Sequence, residues 1–281
     1  MTNNIFPCLW FNGQAQQAAE FYCSIFKQSK IKDSTPLVVT FELMGKKIMG
    51  LNGGLMFKIN PSISFFIMEE TAEEVTDKYN KLLMGGKSLM PLSSYPWSEK
   101  YGWVQDKFGM TWQLMLIAEG KGSKKLIPSF LFTANQFGRG EEAIRFYNEI
   151  FSNAQTKRLE RYPDGDAHAG KLLYSEFSLN DNELIAMDGP GAHEYTFNEA
   201  VSLVVDCKNQ EEVDYYWNKL TADGGQESMC AWLKDKFGVS WQIVPRRLVE
   251  LLNDADKAKA EYAMQALMKM KKINVANLER S

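Results

Sequence analysis

The sequence predicts an α+β chain made of two tandem repeats, and three observations carry that prediction. Three blocks recur in the same order: residues 21–26 match 146–151, 73–82 match 211–220, and 106–114 match 235–243. Short apolar runs of period two alternate with amphipathic stretches of period 3.6, so strands and helices interleave along each repeat. The 281 residues also exceed the length of one ordinary domain.

Each element follows from local pattern. Residues 7–11 form a short apolar strand, and 14–26 place Ala18, Phe21, Tyr22 and Ile25 on one helical stripe. Residues 37–43 alternate and are rich in β-branched side chains, and 47–51 continue after the Gly45 turn. A third strand is expected at 55–59, before Pro61. The order then restarts: a strand at 63–68, a helix at 72–84 ended by Gly85 and Gly86, and strands near 88–92, 102–105 and 110–117. Each half therefore reads β-α-β-β-β twice, with helices on one side of largely antiparallel sheets.

Between the first and second matched blocks the offset grows from 125 to 138, which places an insertion near 158–170 of the second repeat. It falls to 129 at the third block, which places extra residues near 91–100 of the first. Both stretches are rich in Gly, Pro, Ser and charge, as loops are. The expected division is a first domain over 1–118, a linker over 119–126, a second domain over 127–245 and a tail over 246–281. Residues 246–273 read as helix broken near 253–256, with an apolar stripe suited to bracing a domain.

Composition excludes several functions. Thirty-two Lys and Arg against 35 Asp and Glu leave a net charge of −3, which argues against nucleic acid. No apolar run reaches 18 residues, so no membrane span is expected. The first residues lack the basic and apolar regions of a signal peptide, and four scattered cysteines without CxxC fit reduced thiols, so the expected location is the cytoplasm. Only two histidines occur, and there is no HExxH, P-loop or Ser-His-Asp order.

Several motifs resemble the vicinal-oxygen-chelate superfamily, the fold of glyoxalases, bleomycin-resistance proteins and extradiol dioxygenases. They are Leu9-Trp10-Phe11-Asn12-Gly13 with Ala19-Glu20-Phe21-Tyr22, Leu51-Asn52-Gly53-Gly54, and a D-x-F-G-x-x-W-Q block at 106–113 that recurs at 235–242. The block, with tail residues 254–257 and 268–273, is most similar to the PhnB-like branch, whose domains often carry the name demethylubiquinone methyltransferase. The resemblance implies two tandem domains of paired βαβββ modules, curved mixed or antiparallel sheets with helices outside, and one ligand cleft per domain. Pairing of the halves about a pseudo-twofold axis would make the chain a monomeric pseudo-dimer, or else a homodimer.

In that superfamily a divalent metal is held by His or Gln on the first strand of each module and by Glu on the final strand. Here the final-strand positions are Gln113 and Gln242, and the first strands carry no His, Asp or Glu. An amide without charged partners competes poorly with water for a divalent cation. The expectation is therefore a cleft that binds a small molecule without a metal or other cofactor. The alternative is a metal-dependent lyase, isomerase or dioxygenase using Gln113 or Gln242 with Glu42, Glu176 or His168. Strand phase puts Gln113 opposite Trp112, so the Gln face lines the cleft and the Trp face packs in the core. Trp10, Trp103 and Trp232 are further cleft candidates. Glu42 and Glu176 are read as lying on corresponding faces, and His168 as a loop residue near the second cleft. Asp106 and Asp235 are read as structural, each bonding its own turn. A methyl-donor site is not expected, because the glycines at 50–54 sit between strands rather than at a helix N-terminus.

Overall fold

The structure, a computed structural model, describes residues 4–118, 120 and 122–279. The first repeat opens with β1 (Ile5–Phe11), α1 (Ala15–Ile25), β2 (Lys30–Ser34), β3 (Val38–Leu43) and β4 (Lys46–Asn52). Its second module is β5 (Ile63–Glu69), α2 (Ala72–Leu83), β6 (Lys87–Tyr95), β7 (Ser98–Gln105) and β8 (Thr111–Leu116). The second repeat contains β9 (Lys125–Phe132), α3 (Gly140–Ile150), β10 (Gln155–Arg161), β11 (Leu172–Leu179) and β12 (Asn182–Asp188). It continues with β13 (Val201–Cys207), α4 (Gln210–Leu220), β14 (Gln226–Glu227), β15 (Trp232–Lys234) and β16 (Ser240–Pro245). The tail forms α5 (Arg246–Leu252) and α6 (Lys257–Leu267). Part of the expected linker, Glu119 and Lys121, lies outside the described residues, as do the first three and last two residues of the chain.

Two strand assignments need correction. Residues 55–59 are not a strand; Leu55 and Met56 are 85% and 76% exposed. The module's missing strand is β2, whose Lys-Ile-Lys-Asp-Ser sequence sits at the sheet edge and is exposed at four of five positions. Edge strands carry charge that discourages pairing with other chains, and charge erases the alternation that marks a strand in sequence. The same holds for β10, the other sheet's edge, which takes up part of the expected 158–170 insertion.

Helix starts are secured in two ways. Thr71 caps α2 by accepting from Glu74 N–H at 3.2 Å, and Asn209 caps α4 by accepting from Glu212 N–H at 3.0 Å. Neither α1 nor α3 has a capping side chain of its own. Their first amides, Ala15 N–H and Gly140 N–H, instead donate to Asn52 (2.9 Å) and Asp188 (3.0 Å) at the ends of β4 and β12. The Asn-Gly-Gly and Asp-Gly-Pro segments thus serve as caps supplied from across the module.

The strands form two eight-stranded sheets, ordered β14-β15-β16-β13-β1-β4-β3-β2 and β10-β11-β12-β9-β5-β8-β7-β6. Each sheet takes one module from each repeat. The joins are antiparallel, with Cys8 opposite Ser202 in one sheet and Ser64 opposite Ser129 in the other. This overturns the expectation of one cleft per domain: each curved sheet is shared by both halves. β9 follows β8 closely in the chain and pairs along the free edge of β5, so the second repeat completes the sheet that the first repeat leaves open. Helices pack on the outer faces, and the helix-side residues of both sheets join in one core that includes Leu9, Phe41, Phe65, Trp112, Phe130, Phe177 and Trp241.

At the centre of that core lie two equivalent buried carboxylates. Asp106 Oδ1 accepts from Phe108 N–H (2.8 Å) and Met110 N–H (3.1 Å), and Oδ2 accepts from the Trp112 indole at 2.7 Å. Asp235 accepts likewise from Phe237, Val239 and Trp241, and also from the Tyr147 hydroxyl at 2.7 Å. Tyr22 stands beside Asp106 as Tyr147 stands beside Asp235. Its hydroxyl is buried without a hydrogen-bond partner, and burial, with the Asp106 carboxylate beside it, raises its pKa. Phe26 stacks on Trp112 at 5.1 Å and Phe151 on Trp241 at 5.3 Å. Tyr22 belongs to a helix of one sheet and Asp106 to a turn of the other, so each node joins the two layers.

The repeats diverge at one edge of each sheet. The strands β6 and β7 form a long hairpin, whereas β14 and β15 span two and three residues. The tail docks at that shortened edge: Cys230 N–H donates to Met270 O at 2.7 Å and Ala231 N–H to Lys271 O at 2.9 Å. Ile273 and Leu278 are buried there with Leu248, Leu251 and Ala263.

Two outcomes follow from this packing. Burial raises both Asp106 and Asp235 from 3.8 to about 6. A carboxyl whose folded pKa exceeds its unfolded value adds stability below pH ~4 that is lost as pH rises through about 6, roughly 3 kcal/mol per group. Asp106→Asn removes that dependence at one node, so urea denaturation at pH 4 and pH 7 will show the stability gap moving in the variant's favour by about 2–3 kcal/mol. Ile273→Ala will lower the unfolding free energy by about 2–4 kcal/mol in the same assay, because the tail is part of the fold.

Candidate functional site

Alternation along the strands that carry the Asp nodes turns their other side chains to the face away from the helices. In the sheet containing β1 and β13 this face presents Phe6, Cys8, Val204 and Gln242, bordered by Met49, Leu51 and Val244. In the sheet containing β5 and β9 it presents Phe66, Met68, Tyr101, Ile127 and Ile185, bordered by Met90, Tyr95, Trp103, Met115 and Tyr174. These two faces, where the resemblance places a ligand cleft, are called the Phe6 and Phe66 clefts.

The floor of the Phe66 cleft carries a chain of hydrogen bonds. Tyr101 O–H donates to Gln113 Oε1 at 2.7 Å, and Gln113 Nε2 donates to Ser64 Oγ at 2.7 Å. Ser129 stands opposite Ser64 across the join, buried, with no partner for its hydroxyl. Trp103 pairs with Gln113 in register, and its indole N–H is also buried without a partner. Burial raises the Tyr101 pKa, so the phenol stays protonated and serves as a donor. At the rim, Tyr174 O–H donates to Glu176 at 2.9 Å, with the Arg158 guanidinium over its ring at 5.0 Å. The hairpin adds Tyr95 and Trp97, stacked at 5.0 Å, each edge-on to Tyr101.

The Phe6 cleft repeats this plan with changed side chains. Gln242 Nε2 donates to Ser202 Oγ at 3.0 Å, and Cys8 replaces Ser129 beside them. Burial pushes the Cys8 thiol up to about 12, so it remains neutral. Trp10 takes the position held by Leu131 in the other cleft. Its ring covers Gly53, where any side chain would collide with it, and its N–H donates to Gly54 O at 2.8 Å. Trp232 meets Trp10 edge-on at 6.0 Å. At the far end, Lys47 lies over Phe6 at 4.0 Å, and Arg246 holds Asp206 at 3.0 Å.

The structure therefore divides the sequence candidates. Trp10, Trp232 and Gln242 gather in one cleft, and Trp103, Gln113 and Glu176 in the other. Glu42 shares the open face of its sheet but pairs with Lys32 at 3.0 Å near the β2 edge. Glu42 and Glu176 are not equivalent positions. Glu42 faces Lys47 on β4 where Ser178 faces Glu183 on β12, and Thr40 is the counterpart of Glu176. His168 packs edge-on against Phe137 and Tyr162, among loops at the N-terminal end of α3. Sequence reasoning missed Ser64, Ser129, Ser202, Cys8 and Tyr101. The signal for Ser64, Ser129, Ser202 and Cys8 was a small polar side chain on a largely apolar strand, which needs the join between repeats to acquire meaning, and Tyr101 on the polar β7 carried none.

Two polar recesses lie outside the clefts, one of about 820 Å³ between α1 and α2 and one of about 320 Å³ between α3 and α4. Their walls are solvated helix-end charges, largely paired with one another, as Lys124 is with Glu74. Buried polar groups converge instead on the two clefts, so the candidate site is there.

The superfamily's metal does not fit these floors. The candidate donors are Gln, Ser and a protonated Cys, and the Gln113 amide is already engaged on both its atoms. Among the described residues no group of three or more His, Cys, Asp or Glu is placed to hold a metal ion. A divalent cation loses more from its hydration shell than such neutral donors return.

Comparison with known proteins agrees with this architecture. The chain resembles glyoxalase I from Zea mays over 85% of its own length and 92% of that chain, at 12% identity and a TM-score of 0.55, a likeness of fold. It is also similar to a PhnB protein from Bacillus cereus, 38% identical over 39% of this chain and 96% of that one, with a TM-score of 0.37. No curated protein is significantly similar in sequence. The sequence model of 3-demethylubiquinone-9 3-methyltransferase matches twice, over residues 3–115 and 124–244, so the chain belongs to that family, the PhnB-like branch of the vicinal-oxygen-chelate superfamily.

Proposed function

We propose that this protein binds small organic molecules in two clefts, each built from both repeats, without a metal at Gln113 or Gln242. The observation that carries the reading is the Phe66 cleft floor, where buried neutral polar groups stand among aromatic and methionine side chains. Mostly apolar walls with a few fixed polar groups characterise sites for small organic ligands. Such a floor orients a ligand through hydrogen bonds and excludes water. It offers no charged acid or base deep in the cleft, since Glu176 sits at the rim with its own partners.

Methyl transfer finds no support in the glycine segment. Asn52 is committed to capping α1 and Gly53 lies beneath Trp10, so neither is free to cradle a nucleotide. The family's name therefore does not by itself assign that reaction to this chain.

Mass spectrometry of protein purified without chelator tests the metal-free reading. The expected content is zero, and about one divalent ion per cleft, lost in Gln113→Ala and Gln242→Ala, would overturn it. The variants Gln113→Glu and Gln242→Glu should differ. Only Gln242→Glu sets a carboxylate beside a thiol, Cys8, so zinc titration should detect binding to that variant and none to Gln113→Glu.

A further inference from the structure

We propose that the Phe66 cleft is selective for neutral, largely apolar ring compounds that present oxygen acceptors to the Trp103 indole N–H and the Ser129 hydroxyl. This rests on the small-molecule reading above and adds the ligand's class and the cleft that takes it. Both donors are buried without a partner on the face away from the helices. A buried donor left unpaired is costly, and an acceptor arriving from a ligand recovers that cost. Two such donors in one cleft give a ligand two points of attachment.

Their spacing sets the ligand's size. Ser129 lies on β9 and Trp103 on β7, with β5 and β8 between them, so their backbones stand about 14 Å apart laterally. Along the strands Trp103 is level with Phe66 and Ser129 with Ser64, two residues away, so a ligand that meets both donors needs two separated acceptors. Between them the floor offers Phe66 and the Gln113 amide, whose own hydrogen bonds are already satisfied.

Charge selection follows from the same floor. Its buried polar groups, Ser64, Tyr101, Trp103, Gln113 and Ser129, are all neutral, so an ion entering there would lose hydration without gaining a counter-charge. The Phe6 cleft differs in its donors and in the charge at its end, where the Phe66 cleft has the Lys125–Glu183 ion pair. Its Trp10 indole is bonded to Gly54, Ser240 is its orphan hydroxyl, and Lys47, Asp206 and Arg246 bring charge to one end.

Acetophenone serves as the probe, with ethylbenzene lacking the acceptor and with benzoate and benzylammonium carrying charge. Titration of ¹⁵N-labelled protein follows the indole N–H resonances, assigned with Trp103→Phe and Trp232→Phe. The expected result is a saturable shift of the Trp103 resonance by acetophenone. Acetophenone should bind roughly threefold to tenfold tighter than ethylbenzene, the value of one buried hydrogen bond, and tighter than either ion. Ser129→Ala, which removes an unsatisfied hydroxyl, should leave thermal stability equal or higher, leave acetophenone's single contact at Trp103 unchanged, and weaken 1,4-diacetylbenzene, whose second carbonyl is available to Ser129. A merely structural serine would not separate those two readouts. Equal binding of ethylbenzene or of an ion, or a response from Trp232 in place of Trp103, would overturn this selectivity while leaving a small-molecule cleft intact. If no probe shifts any resonance in either cleft, the small-molecule reading falls with it.

Discussion

Two buried carboxylates hold this protein's architecture together. Asp106 and Asp235 each close a β-turn, orient a tryptophan on the following strand and face a tyrosine from a helix of the other sheet. A carboxylate removed from water needs its lone pairs filled, and here two amides, an indole and a phenol surround them. Because the partners come from both layers, the sheets keep one relative placement. Fixing Trp112 and Trp241 toward the helices also fixes Gln113 and Gln242 toward the clefts, since successive side chains on a strand point to opposite faces. The structural motif and the candidate site are two faces of the same short strand.

Duplication in one chain gives each cleft a wall from either repeat. In the Phe66 cleft Gln113, Tyr101 and Ser64 come from the first repeat and Ser129 and Tyr174 from the second. In the Phe6 cleft Cys8 and Trp10 come from the first, and Ser202, Trp232 and Gln242 from the second. A homodimer of identical domains would have two identical clefts. Fusion removes that constraint, and the two faces differ: Ser129 against Cys8, Leu131 against Trp10, and the β6–β7 hairpin against the docked tail.

The polar groups on both floors are neutral: Gln113, Ser64 and Tyr101 in one, Gln242, Ser202 and the Cys8 thiol in the other. Carboxylates are present on the open faces, but Glu176 is engaged by Tyr174 and Arg158, and Glu42 by Lys30 and Lys32. On the Phe66 floor Ser64, Tyr101 and Gln113 bond to one another, while the Ser129 hydroxyl and the Trp103 N–H stay unpaired.

Much of this was legible in the sequence, for identifiable reasons. The repeat, the helices and most core strands follow from periodicity, because a helix or strand with one buried face must space its apolar residues accordingly. The structural role of Asp106 and the inward phase of Gln113 also followed from local chemistry and strand alternation. The edge strands β2 and β10 were not legible, because a strand exposed on both faces has no pattern to show. The partners of β1 and β5 were not legible either. A strand's sequence fixes which side chains share a face, but which strand lies beside it depends on where the intervening chain can travel. Sequence alone therefore determined the modules and the residues that point away from the core. Tertiary structure decided that each cleft is shared between repeats, since pairing two free strand edges is a contact between segments far apart in the chain.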